Sequence, residues 1–360
     1  ARDEPELARR LALALYRAGE PEGALDSLTA WLAAEPGDVR ARLLQSLLLS
    51  ALGREVEAVG VLEELRRSRP DDLEVATLLA RHHTARREWQ AALAISEPLL
   101  DAGVDEERAE LALLSAEALR GDGRALEALD RLALLGRGLE QHPRALALSA
   151  EILFALDRAP EAEETIAQLM AAPEPERLAL VAAVYQRAER YPEAIGVLEK
   201  LLEQEPQRVE ALFWLGAAYE RTRDYGRAEE SFRRLLAVEP DFAPALNYLG
   251  YMWAERGTNL DEALALVERA VTLEPDNGAY LDSLGWAHFQ RGDYAAAQGN
   301  LERAAELTAD DATVLEHLGD VYRALGRMEE AGSAYQRALE LHDENALSLQ
   351  HKLEALGRPD

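Results

Sequence analysis

Apolar residues recur along this chain at the spacing of helix faces, and the helices come in repeating pairs. In residues 209–242, the first predicted helix has apolar or small residues at i, i+3, i+4 and i+7: Leu212, Leu215, Gly216 and Tyr219. A polar turn follows at Asp224, and the second predicted helix has its matching face at Ala228, Phe232 and Leu235. Pro240 then ends that helix, because a proline disfavours helical backbone in the residue before it. The pattern predicts a helix–turn–helix unit.

The position that Ala228 occupies in this unit recurs along the whole chain, and it is an alanine each time. The ten alanines are Ala24, Ala58, Ala92, Ala128, Ala162, Ala194, Ala228, Ala263, Ala297 and Ala331. Their intervals lie between 32 and 36 residues and most are 34, the length of one helix–turn–helix repeat. The sequence therefore predicts an all-α protein, a right-handed superhelical solenoid of about ten repeats. Each alanine marks a place where two helices pack too closely for a larger side chain.

The repeats divide the chain into three predicted segments. Residues 1–174 hold repeats one to five, which depart further from the pattern, and 175–345 hold the regular repeats six to ten. Residues 346–360 begin another helix but place Gln350, His351 and Lys352 where apolar residues would continue. The last element of a solenoid needs a polar outer face, so we interpret this segment as a capping helix and tail. The repeat register between residues 100 and 175 stays open.

The motif inside the repeats resembles a known family. A Leu-Gly pair recurs in the first helix, as Leu215-Gly216, Leu249-Gly250, Leu284-Gly285 and Leu318-Gly319. Together with the alanine of the second helix and the proline that ends it, this resembles the tetratricopeptide repeat, whose signature begins W-x₂-L-G-x₂-Y. The resemblance implies that the first helices of successive repeats line a concave groove that binds proteins.

Composition and charge limit the kinds of partner that the chain is expected to bind. The 67 acidic and 39 basic residues give a net charge of −28, which repels phosphate backbones and excludes nucleic acid as an expected partner. Anionic membrane surfaces are disfavoured for the same reason. No apolar run is long enough to cross a bilayer, so any membrane anchoring would depend on a segment ahead of Ala1, which we expect to have been removed.

Motifs typical of catalytic or phosphate-binding sites are absent from the sequence. There is no G-x-S-x-G, H-E-x-x-H or phosphate-binding loop, and no cysteine. The seven histidines are not spaced as metal ligands, and we assign them structural or solvated roles. We expect a protein that is not an enzyme and that has no catalytic residue, no cofactor and no bound metal.

Six residues of the regular repeats are predicted to bind the partner, because their repeat positions point into the groove. They are Phe213, Asn247, Tyr251, Asp282, Trp286 and Phe289. The aromatic members lie outside the set that the repeat uses for its own packing, and exposed aromatic side chains are frequent anchors of protein interfaces. Asn247 could bond to the backbone of an extended peptide. The alternative is that the aromatic residues fill space between closely packed repeats.

A second candidate surface is a basic patch formed by Arg81, Arg86 and Arg87. In so acidic a chain, local positive charge could dock an acidic segment of a partner or of another copy. The alternative is an ordinary solvated face whose arginines pair with nearby carboxylates.

Residues 244–331 carry a more specific resemblance than the general repeat. They are similar to bacterial cell-envelope tetratricopeptide lipoproteins that act as adaptors, including the adaptor of a carboxyl-terminal processing protease. The resemblance implies a periplasmic or outer-membrane location, with the cytoplasm as the alternative. Three functions follow: a non-catalytic adaptor that holds protein or peptide partners, a self-assembling structural scaffold that forms homo-oligomers, or an accessory subunit that delivers substrates to an envelope protease.

Overall fold

The chain folds entirely into helices over the residues that the structure describes. The computed structural model describes residues 4–101, 103–136, 142–341 and 346–356, and in them it has 21 α-helices and no strand. Two compact units divide the chain, Ala1–Ala188 and Glu189–Asp360. In both units successive helices form helix–turn–helix pairs. The predicted all-α solenoid of such repeats is confirmed.

The first unit contains eleven described helices: α1 (Glu4–Arg17), α2 (Pro21–Ala34), α3 (Val39–Ala51), α4 (Glu55–Ser68), α5 (Leu73–Ala85), α6 (Trp89–Leu100), α7 (Ala109–Gly121), α8 (Ala125–Ala133), α9 (Pro143–Ala155), α10 (Ala159–Leu169) and α11 (Pro175–Arg187). The second unit contains ten: α12 (Tyr191–Gln204), α13 (Val209–Arg221), α14 (Tyr225–Val238), α15 (Ala243–Glu255), α16 (Leu260–Leu273), α17 (Gly278–Gln290), α18 (Tyr294–Leu307), α19 (Ala312–Ala324), α20 (Met328–Leu341) and α21 (Ala346–Leu356).

The ten periodic alanines are the closest-packed positions of the second helices. Nine of them have no exposed surface, and Ala92 is 1 % exposed. Two glycines of the Leu-Gly pairs, Gly250 and Gly285, lie opposite such alanines. A Cβ added at Gly250 would stand 2.9 Å from the carbonyl oxygen of Ala263, and one at Gly285 would stand 3.2 Å from that of Ala297. Each glycine–alanine pair is therefore the point where the two helices of a repeat cross.

Carboxylates and asparagine begin many of the helices. The side chain of Asp72 accepts a hydrogen bond from the backbone N–H of Val75, and Asp311 accepts from Thr313 and Val314. Such caps satisfy the free N–H groups of the first turn, and a carboxylate also interacts favourably with the helix dipole. Asp72 and Asp311, in turns between repeats, are thus used for structure.

The last described helix, α21, is held to the preceding repeat by an ion-pair network. Leu349 is buried at 1 % exposure, and the Lys352 ammonium lies 2.7 Å from Glu316 Oε1 and 2.6 Å from Asp320 Oδ2. Tyr335 also donates a hydrogen bond to Asp320 Oδ1, at 2.7 Å. The sequence interpretation placed Lys352 on a polar outer face, but the structure turns it inward onto two carboxylates. Residues 357–360 of the predicted tail lie outside the described part of the chain.

No helix in the described part of the chain combines the length and the apolar character needed to cross a bilayer.

Candidate functional site

A cavity of about 440 Å³ opens in the second unit beside helix α15. Its walls come from the end of α13, the start of α14, the exposed side of α15, the first turns of α17 and the start of α19. Helices α13, α15, α17 and α19 are the first helices of four successive repeats, which is where the sequence predicts partner binding. The volume falls in the range of ligand pockets, roughly 300–1,000 Å³.

Helix α15 contributes the largest share of the wall. Asn247, Tyr251 and Glu255 are four residues apart, so they lie on one helix face and all three line the cavity. The Oδ1 atom of Asn247 is buried and has no hydrogen-bond partner among the described residues. A buried acceptor left without a donor costs about 1–3 kcal/mol, so an unsatisfied atom at a cavity wall needs an explanation.

Two tyrosines of α15 pair with carboxylates at the cavity. The hydroxyl of Tyr248 donates to Glu220 Oε2 at 3.1 Å. Burial, followed by the negative charge of Glu220, raises the pKa of Tyr248 to about 12. Burial also raises the pKa of Tyr251, and the carboxylates of Glu255 and Asp282 raise it further. Both hydroxyls therefore stay protonated, and the wall around them has a negative potential.

Asp282, which lines the cavity, forms a buried pair with His317. His317 Nδ1 lies 2.9 Å from Asp282 Oδ1, and both side chains are at most 10 % exposed. Burial on its own lowers the pKa of His317, but the charge and hydrogen bond of Asp282, followed by Glu255 and Asp320, raise it by more. The imidazole also stacks on Trp286, with ring centroids 4.1 Å apart. This pair fixes the position of Asp282 at the cavity.

Two arginines line the rim. The guanidinium of Arg256 lies 4.2 Å from the ring centre of Tyr225, which is a cation–π contact. Arg221 has a 62 % exposed side chain and approaches Glu220 at 3.8 Å. Both arginines are thus placed where water reaches them, while the tyrosines and Asn247 form the inner wall.

The six predicted binding residues separate into two groups. Asn247, Tyr251 and Asp282 line the cavity, whereas Phe213, Trp286 and Phe289 do not. Trp286 is only 8 % exposed, and it stacks on Phe289 at 4.9 Å as well as on His317. The expectation that Trp286 is an exposed anchor is wrong, because its ring fills the space between neighbouring first helices. Asp282 was also expected on an open groove and is buried in its ion pair.

Phe213 belongs to an aromatic cluster between repeats. Its ring packs edge-on against Phe232, Phe242 and Tyr248 at centroid distances of 5.8–5.9 Å. Such edge-to-face pairs add to the energy of burial. For Phe213 the packing alternative of the sequence analysis fits the structure.

The predicted basic patch lies at the end of α5 and is largely neutralised. Arg81 Nη2 lies 3.2 Å from Glu110, and Arg86 Nε lies 2.8 Å from Glu88. Arg87 has a φ of 59° in the turn before α6. This pairing with carboxylates reduces the positive charge that could attract a partner. Docking at this patch stays a prediction.

Several cavity residues were not predicted. Tyr248 lies beside Asn247 and within one helix turn of Tyr251, so a search of that turn would have found it, whereas Arg256 follows the end of α15 and lies beyond that turn. Tyr225, the first residue of α14, was not among the predicted binding residues either. His317 was placed among structural histidines, and its contact with Asp282 spans 35 residues, so no local pattern could indicate it. Among the described residues, no group of three or more metal-ligating side chains is present.

Comparisons with known proteins agree with the repeat pattern. One tetratricopeptide repeat model matches residues 182–236, 218–279 and 283–346, and a second matches residues 15–82. No curated protein matches the chain. A tetratricopeptide repeat protein from Parabacteroides merdae superposes with a TM-score of 0.55 at 18 % identity, covering 70 % of this chain and 100 % of its own. That likeness supports the fold.

Two further solved structures superpose less well on this chain. A tetratricopeptide repeat protein from Thermus thermophilus has a TM-score of 0.44 at 23 % identity, covering 51 % of this chain and 98 % of its own. MamA from Desulfovibrio magneticus has a TM-score of 0.42 at 20 % identity, covering 46 % of this chain and 94 % of its own.

Proposed function

Because the chain belongs to the tetratricopeptide repeat family, whose fold is typical of non-catalytic protein-interaction scaffolds, we propose that it is an adaptor. In this proposal an extended segment of a protein partner lies along the first helices of the second unit and enters the cavity beside α15. The observation that carries the proposal is the cavity of about 440 Å³ with the unsatisfied Asn247 Oδ1 in its wall.

The unsatisfied oxygen favours binding over simple packing. Asn247 Oδ1 has less than 1 Å² of exposed surface, so in this proposal the amide rotates toward the cavity, where a backbone N–H of an extended peptide donates to it and recovers the desolvation cost that the free protein bears. Peptides of this kind expose one donor at each residue, so one contact is available to many sequences. The neighbouring rings of Tyr248 and Tyr251 supply apolar surface against which a partner side chain can pack.

The test compares two asparagines in the same unit. Asn247→Ala removes the unsatisfied acceptor, whereas Asn300→Ala removes an amide that donates to its own helix, to Ala296 O at 2.9 Å. Affinity capture from the native host, with quantitative mass spectrometry, should recover the partner about tenfold less with Asn247→Ala, the equivalent of about 1.4 kcal/mol. Recovery with Asn300→Ala should equal the wild type.

Thermal unfolding of the same variants separates binding from folding. Because Asn247 Oδ1 has no partner in the free protein, its removal should leave the melting temperature unchanged or slightly higher. If Asn247→Ala captures every partner as the wild type does, the cavity is not the binding site. If it melts much earlier, Asn247 is a structural residue.

The self-assembling scaffold is the competing proposal, and light scattering distinguishes it. An adaptor should keep the mass of one chain, 39.7 kDa, across a wide concentration range. A mass that grows steadily with concentration would favour the scaffold.

The finer proposal is that this adaptor acts in a bacterial cell envelope and delivers substrates to a protease. Its support is the resemblance of residues 244–331 to envelope adaptor lipoproteins. Fractionation of host cells tests the location: recovery with the envelope fraction is expected, and recovery with the cytoplasm alone would overturn it.

A further inference from the structure

The polar groups around the cavity are mostly hydrogen-bond acceptors. Four carboxylates line it, Glu220, Glu255, Asp282 and Asp311, against two guanidinium groups, those of Arg221 and Arg256. The tyrosine hydroxyls do not reverse this balance, because that of Tyr248 donates its proton to Glu220. Their remaining lone pairs are acceptors, as is the unsatisfied Asn247 Oδ1.

Charge pairing within the second unit leaves two of these carboxylates without a cation. Asp282 is paired with His317, and Glu220 is approached by Arg221. Among the described residues, Glu255 and Asp311 have no basic side chain within 4 Å. Asp311 caps α19 through backbone N–H groups, and the negative charge of Glu255 contributes to the raised pKa of Tyr251. The cavity wall therefore carries its unpaired negative charge at these two exposed carboxylates, and most of its polar groups are acceptors.

Aromatic rings give the same wall an affinity for flat cations. Tyr225, Tyr248 and Tyr251 all line the cavity. The chain itself shows how a guanidinium binds there, since Arg256 lies 4.2 Å over the Tyr225 ring. A cation over a tyrosine face gains about 0.5–2 kcal/mol, and more as water is excluded.

From this geometry we propose that the cavity binds an arginine side chain of the partner segment. The inference rests on the proposed function and adds the chemistry of the residue that is recognised. A guanidinium has five donors in one plane, so it can bond to Glu255 while its face lies on a tyrosine ring. An ammonium group lacks the planar face. A carboxylate would meet Glu255 and Asp311, and like-charge repulsion would exclude it.

The test uses peptides of defined composition. Four pools of blocked octapeptides, randomised except for a central arginine, lysine, citrulline or glutamate, are passed over the immobilised full chain. The arginine pool should be retained about tenfold more than the citrulline pool, which has the same shape without the charge. Retention should fall at high salt, because added ions screen the attraction at the open cavity.

Two carboxylate-to-amide substitutions test which carboxylate gives the preference for arginine. Glu255→Gln keeps a group that can accept from Tyr251 but removes the charge, so the preference for arginine over citrulline should shrink severalfold. Glu268→Gln is the matched control, because Glu268 is an exposed carboxylate of α16 outside the cavity. The preference of this control variant for arginine over citrulline should equal that of the wild type. Circular dichroism confirms that both variants fold.

The outcomes separate this inference from the proposed function. If all pools are retained equally and Asn247→Ala abolishes their retention, the cavity binds peptides but does not select arginine. A lysine pool retained as strongly as the arginine pool contradicts recognition of a guanidinium. If no pool is retained above the blocked matrix, the proposed peptide binding itself fails.

Discussion

Glycine-to-alanine substitutions at two helical positions should change stability in opposite directions. At Gly250 an added Cβ would meet Val267 Cγ2 at 2.5 Å and the backbone oxygen of Ala263 at 2.9 Å. At Gly299, in the middle of α18, it would meet no atom within 4 Å. The chemical change is the same, so the difference measures only how closely the helices pack.

The magnitudes follow from two opposing terms. Alanine is favoured over glycine inside a helix by about 1 kcal/mol. Overpacking costs typically about 1–3 kcal/mol, and the upper end applies at Gly250 because a backbone carbonyl cannot rotate away. Gly250→Ala should therefore destabilise its repeat by about 2 kcal/mol, and Gly299→Ala should stabilise its own by about 0.5–1 kcal/mol.

Amide hydrogen exchange is the suitable assay, because a solenoid can open repeat by repeat and a single global unfolding energy would average over them. Protection of α15 and α16 should drop in Gly250→Ala, while protection of α17 and α18 should hold or rise in Gly299→Ala. Equal or greater protection of α15 and α16 in Gly250→Ala would refute the claim that the glycine–alanine pair sets the helix crossing.

Two further predictions concern the ion pairs of the second unit. Lys352→Met should lower the protection of α21 by about 2 kcal/mol in amide exchange, because two carboxylates lose their cation, whereas the exposed Lys200→Met should change nothing there. His317 has a raised pKa, so its contribution to stability is complete below the ordinary value of about 6.5 and is lost as pH rises through the folded value. The melting temperature of the wild type should fall over that pH range, and His317→Gln should lack this component; an identical pH profile would contradict the assignment.

The sequence predicted the fold well because the same pattern of small and apolar residues recurs in successive repeats. Every alanine of the series is buried, and the Leu-Gly pairs lie at the helix crossings, since only small residues fit where two backbones approach. A period is a local property, so one chain is enough to reveal it. The helix bounds of residues 209–242 follow from it directly, with α13 at Val209–Arg221 and α14 at Tyr225–Val238.

The candidate site was only half predictable, because repeat position gives the direction of a side chain but not what covers it. Trp286 and Tyr251 occupy related positions of successive first helices. Trp286 is covered because His317, from the next repeat, stacks on it, whereas Tyr251 opens onto the cavity. The ring that stacks on Trp286 comes from a residue 31 positions further along the chain, which the repeat pattern does not include.

The central claim is that a partner occupies the cavity beside α15, and site-specific photo-cross-linking tests it most directly. The photoreactive residue p-benzoylphenylalanine replaces Tyr251 at the cavity or, as the control, the exposed Tyr16 of the first unit. Irradiation of host cells should give a discrete adduct from position 251, reduced by adding Asn247→Ala, and none from position 16. No adduct from position 251, or the same adduct from both positions, would contradict the account.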